Sequence, residues 1–314
     1  MLCILWFHTE MYYVGRDVTP YEFYVGDVLA VFFFLSGYLF HITSNPFNVH
    51  HKLYGVWRWL IIPYLVFTTA MAVPKAMAHG NVSPNISTIL TGHASWFISA
   101  LIVAEIMFIA ILYIGHKVRQ VSASLTLAAL AMLLASAIIG NRLSPYHNAC
   151  NLWHVNESKL GFFLMTCGYF FHQYEKALDK VLRHPLTLLT MLILCVGIKY
   201  VIAHTGAKLI FGPIIVTNYY LFVADLLLVT FLLVSVFRML PRTHFMQWVG
   251  RHSIVYYFFS GGVPLAVGKA LTKLGFGIST QTNVYPCISM AFAIVCVLST
   301  IMVWAVYRYT NIVR

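Results

Sequence analysis

SWFISALIVAEIMFIAILYIG, residues 95–115, is an unbroken apolar run with a single charged side chain, Glu105. At about 1.5 Å of helix per residue it extends roughly 30 Å, the thickness of bilayer hydrocarbon. It reads as a transmembrane helix with an acid at membrane depth. Nine further apolar runs lie at approximately 1–14, 24–43, 59–78, 122–140, 159–173, 186–204, 218–240, 253–271 and 284–307, giving ten in all. Between them are turn-rich connectors such as SNPFNVHH, HGNVSPN, GNRLSPYHNACN and GISTQTNVYP. No internal repeat or low-complexity tract interrupts the series. The fold class expected is an all-α integral membrane protein, a bundle of about ten transmembrane helices forming one polytopic domain over residues 1–314.

Composition excludes a soluble globular domain: 60% of the residues are hydrophobic, 9% are charged, and the mean hydropathy is +0.80. The net charge of +11 is spread thinly between apolar segments, so it points to the lipid bilayer as partner and not to nucleic acid. The cysteines (Cys3, Cys150, Cys167, Cys195, Cys287, Cys296) show neither CxxC spacing nor a pairing pattern and read as small buried hydrophobes.

The chain opens with MLCILWFHTEMYY, residues 1–13. A secretory signal would put its positive charge first and a small-residue cleavage site last, and neither is present. Fourteen residues make only about 21 Å of helix, so this run is expected to be the exit half of a first helix truncated at its N-terminal end. Starting that helix inside places Lys52, Arg58, Lys117, Arg119, Lys176, Lys180, Arg183, Arg238, Arg242, Arg251, Arg308 and Arg314, twelve of the twenty Lys and Arg, on one side. Arg16, Lys75, Arg142, Lys159, Lys199, Lys208, Lys269 and Lys273 fall on the other. By the positive-inside rule both termini are cytoplasmic, in the inner or plasma membrane. Asn81, Asn85 and Asn156 each head an N-x-S sequon in outer connectors.

A charged group at the bilayer centre costs at least about 2.5–3.5 kcal/mol on insertion scales, so each needs a reason. Glu10, Asp27, Glu105 and Asp225 qualify, with His8 and His41. Each acid either satisfies a neighbouring helix or lies on an ion path. His8 and Glu10 are two apart and point away from each other on a regular helix, so either the helix unwinds there or they serve different partners. His8 shares a face with Tyr12 instead. A histidine near the water boundary suits a general base, because its pKa starts near neutral; the competing reading is a structural histidine.

Several motifs together resemble acyltransferase family 3, integral-membrane proteins that transfer acyl groups to carbohydrate hydroxyls. ILWFHTE is similar to the end of that family's first helix, and FFFLSGYLF (32–40) to its second-helix signature. WRWLIIPYL (57–65), SWFISALIVAE (95–105) and VGRHSIVYYFFS (249–260) resemble later signatures, in the family's order. Two positions depart from the pattern. The family's Arg about three turns before the His would precede Met1, and its late-span His is Ser260 here.

The resemblance implies an acyl-CoA-dependent membrane O-acyltransferase, most commonly an O-acetyltransferase, that uses acyl-CoA as co-substrate and needs no metal. The acyl group would pass from cytoplasmic acyl-CoA to a hydroxyl of a cell-envelope or exported polysaccharide or other carbohydrate. It implies His8 as catalytic base, with Glu10 either orienting it or gripping the acceptor. Arg58 is the best match for a cation on the CoA phosphates, with Lys52, Lys117 and Arg119 as neighbouring candidates. Ser36 and Gly37 read as close-packing small residues, since no Gly-x-Ser-x-Gly elbow frames the serine. Trp96 reads as an interface anchor or a packing residue, and Arg251 and Ser253 as motif positions of open role. His79, His93, His147, His154 and His204 lack ligand spacing, so no metal site is expected. The alternatives are a transporter or flippase using Asp27, Glu105 and Asp225 as a path, for which no internal symmetry is found, and a structural partner in an envelope assembly.

Overall fold

A computed structural model describes residues 1–40, 47–78, 86–149, 151–277 and 283–310. His41, Cys150 and the sequons at Asn81 and Asn85 lie outside the described residues. The chain is helical almost throughout, as the apolar runs require: in lipid a backbone satisfies its N–H and C=O groups internally or not at all. In chain order the helices are α1 (Leu2–Thr9), α2 (Val25–Leu39), α3 (Val49–Val56), α4 (Ile62–Ala78), α5 (Ile86–Leu90), α6 (Trp96–Lys117), α7 (Val121–Ala135), α8 (Val155–Gln173), α9 (Glu175–Leu182) and α10 (Pro185–Thr205). After the short antiparallel strands β1 (Leu209–Ile210) and β2 (Ile215–Val216) come α11 (Tyr219–Met239), α12 (His244–Arg251), α13 (Ser253–Phe259), α14 (Gly262–Lys273) and α15 (Val284–Tyr309). Local chemistry sets several ends. Asn48 and Asn218 cap α3 and α11 by accepting from the backbone N–H three residues on, at 3.0 and 3.1 Å. Pro185 opens α10, and Gly206, at φ +61°, closes it.

Each of the ten expected runs is helical, but the count of ten spans is not reproduced. Among the described residues six helices are long and apolar enough to cross a membrane: Val49–Ala72, His93–Lys117, Val121–Gly140, Pro185–Thr205, Tyr219–Met239 and Val284–Tyr309. Helices α13 and α14 make a seventh if counted as one span, bent by 43°. The other three runs fall short for physical reasons. The first helix is eight residues long before it loosens into a π-turn over Glu10–Val14, α2 has 15 residues, and α8 begins with Asn156, Glu157, Ser158 and Lys159.

The chain divides into two compact units. The first comprises Met1–Val25, Ile62–Leu90 and Pro241–Arg314. Within it α1 packs against α14 and α15, and Trp6 meets Phe292 edge-on at 5.1 Å. Gly268 on α14 lets that helix close on the π-turn: a Cβ there would stand 2.8 Å from the Tyr12 carbonyl oxygen. Helix α4 joins through Phe67, which stacks on Phe258 at 5.0 Å.

The second unit comprises Gly26–Ile61 and Thr91–Leu240. Its core is aromatic, with Phe33, Phe34, Phe108, Phe162, Phe211 and Phe222 all buried. Helices α2 and α8 touch backbone to backbone at two glycines: a Cβ on Gly37 would collide with the Met165 carbonyl, and one on Gly168 with that of Phe34. This is the close packing expected of Gly37. The connector between α10 and α11, holding β1 and β2, folds inward so that Leu209, Phe211, Ile214 and Val216 are buried.

Three helices of this unit are tied by one cation. The Lys199 Nζ on α10 donates to Asp27 Oδ2 on α2 at 2.7 Å and to Asp225 Oδ2 on α11 at 2.6 Å. Lys199, expected on the outer side within the run 186–204, stands in α10 as the partner of two acids. Its placement satisfies Asp27 and Asp225 through a neighbouring helix. Two expectations are corrected. Of the described cysteines only Cys195 is buried, and Cys3 is exposed, because lipid-facing positions tolerate a thiol as well as a core does. Asn156 is fully buried and hydrogen-bonded to His147 O at 2.9 Å, so its sequon is not a surface acceptor.

Lys199→Met strands two buried carboxylates and is expected to cost about 3–5 kcal/mol of stability. The triple change Asp27→Asn, Lys199→Met, Asp225→Asn is expected to recover most of it. Thermal midpoints of the purified protein in detergent measure both.

Candidate functional site

The residues singled out in the sequence are distributed over both units. In the first unit, α1 presents His8 half-buried, with its ring stacked on Tyr12 at 5.8 Å and 12°. That is the shared face read from the spacing. Its other ring neighbour is Phe7, at 5.4 Å. Glu10, fully buried, starts the π-turn and serves other partners: its carboxylate accepts from Trp6 Nε1 at 2.7 Å, Thr19 Oγ1 at 3.0 Å and Thr19 N at 3.3 Å. The helix does loosen where the two polar residues fall, and the carboxylate uses that loosening to hold the following loop. Tyr13 fixes the far end of the turn by donating to Phe276 O at 2.6 Å. Arg251, exposed, ends α12, and Ser253 starts α13. Ser260, a position where the sequence departs from the late-span motif, is buried at the α13–α14 bend and donates to Tyr257 O at 2.7 Å.

In the second unit, Ser36 and Gly37 share a turn of α2 but face different neighbours. Gly37 meets α8, whereas Ser36 Oγ donates to Glu105 Oε1 on α6 at 2.6 Å. A carboxylate partner for Ser36 was not visible in the sequence, since the two are 69 residues apart. Lys52 on α3 lies with its Nζ 4.4 Å from the Phe40 ring centre and within electrostatic reach of Glu105. Arg58 sits in the π-turn Trp57–Ile61, with its guanidinium 5.1 Å from the Trp59 ring. Lys117 and Arg119 are exposed at the end of α6, the helix against which α3 packs. The four cations thus belong to two packed elements.

Trp96 opens α6 and packs: its indole lies against Gly212 and meets Phe97 and Phe211 edge-on or tilted at 5.9 and 6.1 Å. Beside it is a group that spacing had dismissed. His154 Nδ1 lies 3.3 Å from Glu157 Oε2, and the His154 ring is 5.0 Å from that of His93 and 6.2 Å from Trp96. Trp153 and His154 both adopt left-handed backbone, at φ +54°, which costs a non-glycine residue about 1–3 kcal/mol. The Thr91–His93 turn fits against this bend, with Trp153 N donating to Thr91 O at 2.9 Å. Only the i, i+3 spacing of His154 and Glu157 at a helix start was available as a signal.

Among the described residues no group of three His, Cys, Asp or Glu could hold a metal ion. The first unit holds His8 and Glu10, and the second holds the four cations and the Ser36–Glu105 hydroxyl–carboxylate pair. No curated protein and no solved structure matches the chain. A family model described as "Acyltransferase domain" matches residues 1–307 of the 314. With its apolar helices and its motifs in order, this chain belongs to acyltransferase family 3 and is a membrane acyltransferase.

Proposed function

We propose that the protein is an O-acyltransferase, most simply an O-acetyltransferase, that moves an acyl group from cytoplasmic acyl-CoA to a hydroxyl of an envelope or exported carbohydrate. The observation that carries this reading is His8, half-buried and stacked on Tyr12, on the first-helix motif of a chain that belongs to the family. In the reaction a carbohydrate hydroxyl attacks the thioester carbonyl. His8 takes the hydroxyl proton, the C–S bond breaks, and the proton passes to the departing CoA thiolate. Ring stacking holds the imidazole at one orientation, which a base needs before it can act. Glu10 is a positioning residue: through Trp6 and Thr19 it fixes the turn that follows His8.

Arg58 would grip the CoA phosphates, with Lys52, Lys117 and Arg119 supplying further positive charge. This places the cytoplasmic face at those residues, in an inner or plasma membrane, with both chain ends on that side. The bundle then has its ten spans, the first helix, α2 and α8 serving as the short ones. Asp27 and Asp225 are held by Lys199 and Glu105 by Ser36, an engagement that favours acyl transfer over an ion path.

His8→Ala is expected to lower the rate of acetyl-CoA consumption in reconstituted membranes by about 10²–10⁴-fold, the ordinary contribution of a general base. Turnover unchanged in that variant would sink the mechanism. Arg58→Lys is expected to raise the half-saturating acetyl-CoA concentration several-fold, because the planar bidentate donor is lost while the charge stays. Glu10→Gln places an amide N–H₂ against donor groups and is expected to cost about 1–3 kcal/mol of stability. The thermal midpoint and the activity of that variant should fall together, which separates positioning from catalysis.

A further inference from the structure

At the start of α8 two buried polar atoms have no hydrogen-bond partner among the described residues, His154 Nε2 and Glu157 Oε1. His154 is 7% exposed and Glu157 0%. A buried lone pair left empty is a cost that native structures rarely carry without a use. The backbone here is also built at a cost: two consecutive non-glycine residues, Trp153 and His154, are held left-handed. Gly92 lets the Trp153 backbone approach, since a Cβ there would stand 2.7 Å from Trp153 Cα. The outcome of this construction is a histidine whose Nδ1 faces a carboxylate. That partner assigns the Nδ1–H tautomer and leaves Nε2 as an acceptor. Around it lie an aromatic face, Trp96, and a second imidazole, the exposed His93. An imidazole acceptor and a carboxylate beside an indole are the groups that recognise a sugar: the polar atoms take hydroxyls and the aromatic face takes the ring's C–H surface.

We propose that His154 and Glu157 form a binding subsite for a carbohydrate hydroxyl, with His154 Nε2 accepting its proton in a hydrogen bond and Trp96 flanking the sugar ring. This rests on the acyl-transfer reading, in which the acceptor is a carbohydrate. It adds an acceptor-recognition site on the second unit whose polar residues, His154 and Glu157, lie outside the family motifs. Access requires the exposed His93 ring to turn aside. Glu157 acts through His154, holding its tautomer, and its free oxygen is available to a second hydroxyl.

The full chain in lipid nanodiscs is assayed with radiolabelled acetyl-CoA and, as acceptor, the carbohydrate fraction extracted from the envelopes of the cells that carry it. His154→Phe is expected to raise the half-saturating carbohydrate concentration by about tenfold or more, the loss of one buried hydrogen bond, while half-saturating acetyl-CoA stays within about twofold. His154→Gln, which keeps a carbonyl acceptor, is expected to recover part of the loss. An unchanged carbohydrate half-saturation, or both substrates shifting together, overturns the subsite and leaves a structural pair. A wild type that transfers no label overturns the acyl-transfer reading, and this assignment with it. Should the substitutions unfold the protein, the wild type decides alone. The carbohydrate is expected to slow carbethoxylation of the peptide bearing His154 by diethyl pyrocarbonate, and an unaltered rate overturns the subsite.

Discussion

The ion cluster Asp27–Lys199–Asp225 is the constraint on which the second unit turns. Helix α2 and the consecutive helices α10 and α11 meet at one ammonium, with salt-bridge distances of 2.6 and 2.7 Å. Apolar side chains give helices in lipid little reason to choose a partner or a register, because lipid tails are as apolar as leucine. A carboxylate buried in such a medium has few acceptable positions, and beside a cation is the best of them. The cluster therefore specifies which helices pair and at what height, while Phe33, Phe34, Phe211 and Phe222 fill the space around it. Glycine contacts then bring α2 onto α8, and that approach fixes where Ser36 and the start of α8 must lie.

In the first unit the same role falls to Glu10. It is buried, it receives three hydrogen bonds, and it sits where the α-helical spacing changes to a π-turn. A π-turn inserts one residue into a helical turn and is found disproportionately at working sites. Here it frees the segment after His8 to close on Thr19, and Tyr13 pins its end to Phe276. The buried carboxylate thus ties the loosened turn to the loop that follows, directly after His8.

The helical membrane architecture was legible because its cause is local: the length and apolarity of each run are written in the run itself. The stacking of His8 on Tyr12 and the packing role of Gly37 were legible for the same reason, since both follow from helical spacing and side-chain size. What escaped were pairings across the sequence. The purpose of Lys199 was hidden because its partners, Asp27 and Asp225, lie 172 and 26 residues away. The hydrogen bond of Ser36 to Glu105 escaped because the two lie on different helices, 69 residues apart. The inward hairpin at 207–217 reads as an ordinary outer connector until Phe33, Trp96 and Phe222 are seen to enclose Phe211. The number of spans was less legible, since three of the runs become helices too short or too polar to meet the length and hydropathy of a span by themselves.

Helix α6 shows what the proposed reaction demands of the fold. Trp96 stands at its first residue beside His154, and Lys117 at its last, with Arg119 just beyond. A helix of that length separates the two ends by roughly 30 Å. If the cations hold the CoA phosphates and the Trp96 end faces the carbohydrate, donor head group and acceptor are bound a membrane apart. The CoA phosphates cannot follow the acyl group into hydrocarbon, because burying several anions there is prohibitive. The thioester must then be carried inward on the slender pantetheine arm while the head group stays with its cations. The interior needs no large cavity for this, only a passage of acyl-chain width.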